Sequence, residues 1–125
     1  MFDHVKIGVR DFAASKAFYV RALAPLGVEI AGEGEPAYGI ELCPKGGDVS
    51  FCLFQASEKL APLHLAFRAP SRAHVHAFYE AALAAGAKDN GPPGLRVKYH
   101  ANYYAAFVID PDGHNIEAVC HDVET

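Results

Sequence analysis

Three side chains have the types and spacing of a metal centre. His4 and His64 each open an alternating apolar stretch, HVKIGV and HLAFRA, sixty residues apart, and Glu117 lies inside NIEAVCH. That last stretch is otherwise fit for burial, and a buried carboxylate is costly unless it is neutralised, paired or bound to a cation. Strand alternation sets His4 opposite Val5, Ile7 and Val9, and His64 opposite Leu65 and Phe67. In the last strand Glu117 shares a face with Asn115, Val119 and His121, opposite Ile116, Ala118 and Cys120. If the two His-led strands are related by a pseudo-twofold axis, their imidazoles can converge, with Glu117 as a candidate partner for both. Two His and one carboxylate make a facial triad, which leaves positions open for substrate or oxygen. The plainer alternatives are a metal-free cavity whose three groups hydrogen-bond to one another, and Glu117 as an ordinary salt-bridge partner.

Further groups follow a Gly/Pro-rich stretch, DNGPPGL, over Asp89–Leu95. A loop at a cavity mouth often bears substrate contacts. The hydroxyls of Tyr103 and Tyr104 could orient a substrate oxygen or donate a proton, and His100 could shuttle one; packing on neighbouring strands is the simpler role for both tyrosines. Arg96 and Lys98 could hold an anion, with solvated charge as the simpler role. His74 and His76 fall on the polar side of a helix, His114 in a turn and His121 at a fraying end. Cys43, Cys52 and Cys120 form no CxxC pair and read as reduced core thiols. GGD and GPPG lack the companions of a phosphate loop or a dinucleotide fingerprint.

The elements that must position these groups come as a repeat. At an offset of 60, Phe18-Tyr19 matches Phe78-Tyr79, and Ala22-Leu23-Ala24 matches Ala82-Leu83-Ala84. Such a duplication means two copies of one supersecondary unit. In the first, a strand over His4–Val9 leads into a helix that Asp11 caps and that runs to about Ala24. Phe12, Phe18, Tyr19, Ala22 and Leu23 line its buried side, and Pro25 and Gly27 stop it. Strands follow at Val28–Ala31, Tyr38–Leu42 and Val49–Gln55, and Ala56–Pro62 is a connector. In the second, Leu63–Ala69 is a strand and Ser71 caps a helix to about Ala85. That helix buries Val75, Phe78, Tyr79, Ala82 and Leu83. Asp89–Leu95 reads as an irregular loop, Tyr103–Ile109 and Asn115–His121 as strands, and Asp110-Pro111-Asp112-Gly113 as a turn. The fold class is α+β: one domain over 1–125, with two tandem βαβββ modules at about 1–58 and 62–125. Its antiparallel sheets curl around a cavity, with helices on their outer faces.

The 125 residues, 51% hydrophobic and 21% charged, suit a single soluble domain. A net charge of -4 argues against nucleic-acid and anionic-membrane partners. No apolar run reaches the roughly 18–20 residues of a membrane span. MFDHVKIGV has no basic region before a long apolar segment, so a cytoplasmic location is expected.

The His-led repeat, the FY pair in each helix and the terminal DPDGHNIEAV resemble the vicinal oxygen chelate superfamily, which spans glyoxalases, bleomycin-resistance proteins and extradiol dioxygenases. The resemblance covers nearly the whole chain, and DNGPPGLRVKYHANYY looks like a small glyoxalase-like subgroup. It implies a metal site in the cavity, with His4, His64 and Glu117 as ligands to a divalent Zn, Ni, Mn or Fe. It also implies a small-molecule substrate chelated through vicinal oxygens, a lyase/isomerase-like or dioxygenase-like reaction, and a homodimer. Glyoxalases usually add a fourth ligand from the last strand of the first module. Here that region, VSFCLFQAS, holds no His or carboxylate. Gln55 and Cys52 are the groups available, and Glu41 and Glu58 lie outside the expected position. Bleomycin-resistance relatives imply the alternative, a metal-free protein that sequesters a small aromatic or cationic molecule.

Overall fold

The computed structural model describes residues 2–58 and 61–123. Of the expected connector Ala56–Pro62, Lys59 and Leu60 lie outside the described residues. The first module comprises β1 (Val5–Val9), α1 (Phe12–Leu23), β2 (Val28–Glu33), β3 (Ile40–Pro44) and β4 (Phe51–Gln55). The second comprises β5 (His64–Arg68), α2 (Arg72–Ala84), β6 (Lys88–Leu95), β7 (Tyr104–Ile109) and β8 (Asn115–Cys120). The helices start where their caps lie: the Asp11 carboxylate accepts from the Ala14 amide at 3.1 Å, and the Ser71 hydroxyl from the His74 amide at 3.3 Å.

Each module forms one four-stranded sheet, ordered β1-β4-β3-β2 and β5-β8-β7-β6. The sheets are mixed rather than wholly antiparallel, because the first strand of each module pairs in parallel with its last. The α1 and α2 crossovers supply the length that a parallel pair needs. Asp89–Leu95 is also a strand rather than an irregular loop. As β6 it lies at a sheet edge with two register shifts, where Pro92 and Pro93 break no central ladder. At the other turn a close approach demands glycine: Gly39 has φ +95°, and a Cβ there would stand 1.6 Å from the Leu53 carbonyl oxygen.

One apolar core draws on both modules. It joins Ile7, Val9, Phe18, Leu23, Phe51 and Leu53 to Phe78, Val108, Ile116 and Ala118. A line of edge-on rings crosses from module to module: Phe18–Tyr19 at 4.9 Å, Tyr19–Phe51 at 5.2 Å and Phe51–Phe67 at 5.3 Å. The expected helix stripes are buried, except that Tyr79 is half-buried and Leu83, at the last turn of α2, is 36% exposed. Polar contacts add a second tie. Asp110, in the turn before β8, is buried; one carboxylate oxygen accepts from the Asp112 and His114 amides at 3.0 and 2.7 Å, and the other takes the Tyr19 hydroxyl of α1. His114 is buried too, and its Nδ1 accepts from the Leu63 amide at 2.8 Å, fixing the start of β5 beside β8.

Each sheet therefore turns one face to this core and leaves the other free. Among the described residues no helix is long and apolar enough to cross a membrane.

Candidate active site

On the free face of the second sheet, β5 and β8 run side by side with Ala66 paired to Glu117 and His64 to Asn115. The Glu117 side chain is 2% exposed and that of His64 50%. His64 Nε2 lies 2.7 Å from Glu117 Oε1, and the Tyr103 hydroxyl donates to Glu117 Oε2. The carboxylate is thus buried, as its surroundings in the sequence require, and both of its oxygens are engaged. Tyr103 is pushed up to about 12, first by burial and then by its bond to Glu117 and that residue's charge. At neutral pH it is a held phenol, a donor rather than a phenolate.

Asn115, which strand alternation set on this face, has a role that was missed. Its Nδ2 lies 2.8 Å from His64 Nδ1, while its Oδ1 is buried without a hydrogen-bond partner among the described residues. In this arrangement Nδ2 donates to Nδ1, and Nε2 carries the proton toward Glu117. Rotating the amide by half a turn gives the orphaned oxygen a donor, Nδ1–H, and leaves a lone pair on Nε2. Strand alternation supplied only the shared face of Asn115 and Glu117; that Asn115 neighbours His64 comes from the parallel β5–β8 register.

The remaining candidates divide. His100 stands behind Tyr103, ring centroids 6.4 Å apart, and its Nδ1 accepts from the Asn102 amide at 2.9 Å. His121, which had been set aside, joins them, 5.2 Å from both rings. Tyr104 does not join. As the next residue it points to the opposite face, where its hydroxyl is 2.6 Å from His76 Nε2 of α2 and its ring lies under Arg72.

His4 occupies the free face of the first sheet. Its side chain is 55% exposed and meets Asp3 at 2.6 Å. A cavity of about 230 Å³ there is lined by His4, Lys6, Tyr38, Glu41 and Cys52. Register makes Cys52 the counterpart of Glu117: Lys6 pairs with Cys52 as Ala66 pairs with Glu117. Burial and the neighbouring Glu41 raise the Cys52 thiol, which Lys6 partly offsets. Gln55 is committed elsewhere. Its Oε1 accepts from the Phe12 amide at 3.1 Å, and its Nε2 donates to the carbonyls of Val9, Arg10 and Ala56 at 3.2, 2.6 and 3.0 Å.

Among the described residues no three His, Cys, Asp or Glu side chains gather closely enough to hold a metal ion. His64 and Glu117 fit such an ion as adjacent nitrogen and oxygen donors, and the unpartnered Asn115 oxygen suits an imidazole that must free its Nε2. Among the described residues no third such donor stands beside the pair.

The chain belongs to the Glyoxalase/Bleomycin resistance protein/Dioxygenase superfamily, whose family model matches residues 1–118. It is similar to a glyoxalase/bleomycin resistance protein from Albidiferax ferrireducens T118, at 30% identity and a TM-score of 0.77 over 98% of this chain and 99% of that one. It shares its fold with a glyoxalase/bleomycin resistance protein/dioxygenase family enzyme from Burkholderia phytofirmans PsJN (21% identity, TM-score 0.73, 95% of this chain and 97% of that one). The same holds for a glyoxalase-related enzyme from Fulvimarina pelagi (20% identity, TM-score 0.73, 96% and 87%). Comparison with functionally curated proteins returned no match.

Proposed function

We propose that this protein is a divalent-metal-dependent enzyme whose site is completed between two copies of the chain. His64 and Glu117 of one copy and His4 of a second would hold the ion. The observation that carries the reading is the buried carboxylate of Glu117, set against a half-exposed imidazole on a free sheet face. A buried carboxylate costs free energy that its partners must offset, and unlike Asp110, which ties a turn to α1, Glu117 lies on a free face beside an imidazole that water reaches. His4 heads the pseudo-equivalent strand and is likewise exposed. A twofold dimer that apposes the free face of one copy's first sheet to the free face of the other's second sheet brings the three together in two symmetric sites.

When bound, the ion held by these residues would supply Lewis acidity toward a substrate presenting two adjacent oxygens. The chain's own groups do the rest. Tyr103 keeps its proton well above neutral pH and faces the site, so it hydrogen-bonds or protonates a substrate oxygen. His100 and His121 stand beside it as relays to solvent. Asn115 sets the tautomer of His64. A held proton donor favours lyase or isomerase chemistry over oxygen-dependent cleavage. The three free, buried cysteines suit a reducing cytoplasm.

A second reading rests on one observation: Glu117, His64 and Tyr103 already satisfy one another without a metal. That suits a sequestering protein of the bleomycin-resistance type.

Metal content after chelator-free purification, and after soaking with Ni, Mn, Fe and Zn, separates the two. The enzyme reading expects one ion per chain, lost in both His4→Ala and His64→Ala. Co-refolding those two variants should restore about a quarter of the sites, because each mixed dimer regains one intact site of two. Persistent absence of metal in the unaltered protein refutes the enzyme reading, and a monomer that binds metal fully refutes the shared site.

A further inference from the structure

We propose that the substrate is a small carboxylate whose anionic end is bound by Arg96, assisted by Lys98. The inference rests on the proposed site for its location but not on the presence of a metal. A cavity of about 240 Å³ adjoins the His64–Glu117 pair and is lined by Gly91, Arg96, Lys98, Tyr99, Phe107 and Asn115. Two of these connect it directly to the site: Asn115 bonds to His64, and the Phe107 ring lies 6.1 Å from the His64 ring.

Arg96 is built into this cavity rather than waving from the surface. Its Nη1 donates to the Gly94 carbonyl at 2.8 Å and its Nη2 to the Pro92 carbonyl at 2.7 Å. The guanidinium lies over the Phe107 ring at 5.3 Å. The β6 backbone is shaped to it. A Cβ on Gly91, whose φ is +145°, would come within 3.1 Å of both Arg96 Nη2 and Phe107, and one on Gly94 within 3.1 Å of Arg96 Nη1. The GPPG stretch is therefore a cradle for a guanidinium.

What the cradle omits is a counter-charge. Among the described residues neither Arg96 nor Lys98 forms an ion pair with a carboxylate. Two carbonyls use two of the five N–H donors of Arg96, and the remainder are free for a fork-to-fork contact with a carboxylate. A cation fixed by its own backbone loses little rotamer freedom on binding, which is the arrangement expected of an anion receptor. Glu117 would repel an anion placed on it, so the charged end belongs at Arg96 and the reacting end at His64.

The test uses metal-free protein, with pyruvate and its uncharged methyl ester as probes, followed by calorimetry and by the Nε resonance of ¹⁵N-labelled arginine. Pyruvate should bind at least about tenfold more tightly than the ester, weaken on going from low to high KCl, and shift the Arg96 signal. Arg96→Gln should lose about tenfold or more, Arg96→Lys less, and Lys98→Met about threefold. Among the described residues Lys98 makes no hydrogen bond to β6, so its variant reports the charge even if Arg96→Gln loosens the strand. Equal binding of pyruvate and ester, an unchanged affinity in Arg96→Gln and Lys98→Met, or no binding to the unaltered protein overturns the proposal. A parallel Ni²⁺ titration keeps the two readings apart: metal uptake without preference for the anion refutes this inference alone, and preference for the anion without metal uptake upholds it while the metal centre fails.

Discussion

Glu117→Gln separates a functional carboxylate from a structural one. In the metal-free protein the substitution weakens the hydrogen bond from the His64 imidazole, whose side chain is 50% exposed, a contact worth about 0.5–1.5 kcal/mol. It also weakens the charge-assisted bond from Tyr103, worth roughly 1.5–3 kcal/mol. Against these stands the desolvation of a carboxylate that is 2% exposed, which costs several kcal/mol. The severe penalty for breaking a buried pair arises when the survivor is a charge sealed from water. Here the survivor is an imidazole that water reaches, and the new amide can still accept from one partner. The terms nearly cancel, so urea unfolding in EDTA should show a change within about 1 kcal/mol of zero. Affinity for Ni²⁺ or Zn²⁺ should fall by about 100-fold or more, since loss even of a ligand's outer partner costs roughly 10–100-fold. A loss above about 3 kcal/mol in the metal-free protein, with metal binding untouched, would refute this reasoning and make Glu117 a structural salt bridge.

Asp110→Ala should be the costly substitution: it orphans the His114 amide and the Tyr19 hydroxyl, both buried, for roughly 2–5 kcal/mol, and Asp110→Asn should cost less because one oxygen remains; urea midpoints decide. Gln55→Ala should destabilise by about 1–3 kcal/mol while leaving metal uptake unchanged, because Gln55 staples the β1–α1 junction and is no ligand. Tyr103 should titrate near pH 12 by ¹³C NMR of the labelled ring. The folded form holds that proton where the unfolded chain, near its ordinary 10, has lost it, so stability contributed by Tyr103 is complete below pH 10 and drains away between there and about 12. Glu117→Gln should move the Tyr103 titration back toward 10, because it removes the charge that opposes ionisation.

The parts that were legible in the sequence are those governed by local chemistry. Asp11 and Ser71 cap their helices as their types demand, and alternation set His64 and Glu117 on one face. The same rule, applied to neighbours, would have separated Tyr103 from Tyr104, since consecutive strand residues cannot share a face. β6 was hidden because Gly and Pro signal loops, and only its edge position makes them tolerable in a strand. Gln55 was ambiguous because an amide at a strand end serves equally as staple or ligand, and its four backbone partners come from the fold. That His4 does not gather with His64 and Glu117 among the described residues was beyond reach. It depends on which faces of the two modules meet, and both faces of each strand alternate equally well.

The parallel pairing of β5 with β8 carries a consequence for how the protein comes to exist. His64 and Glu117 are 53 positions apart, and a helix and two strands must be laid down between them before they touch. Closing so long a span is paid in chain entropy before any contact repays it, which slows the step. The first sheet carries a closure of almost the same reach, Val5 to Phe51, and the core beneath the two sheets is common to both modules, so neither sheet gains its apolar cover without the other. Mutations that disrupt α2 or mispair β6 are therefore expected to unfold both modules together, not the second alone.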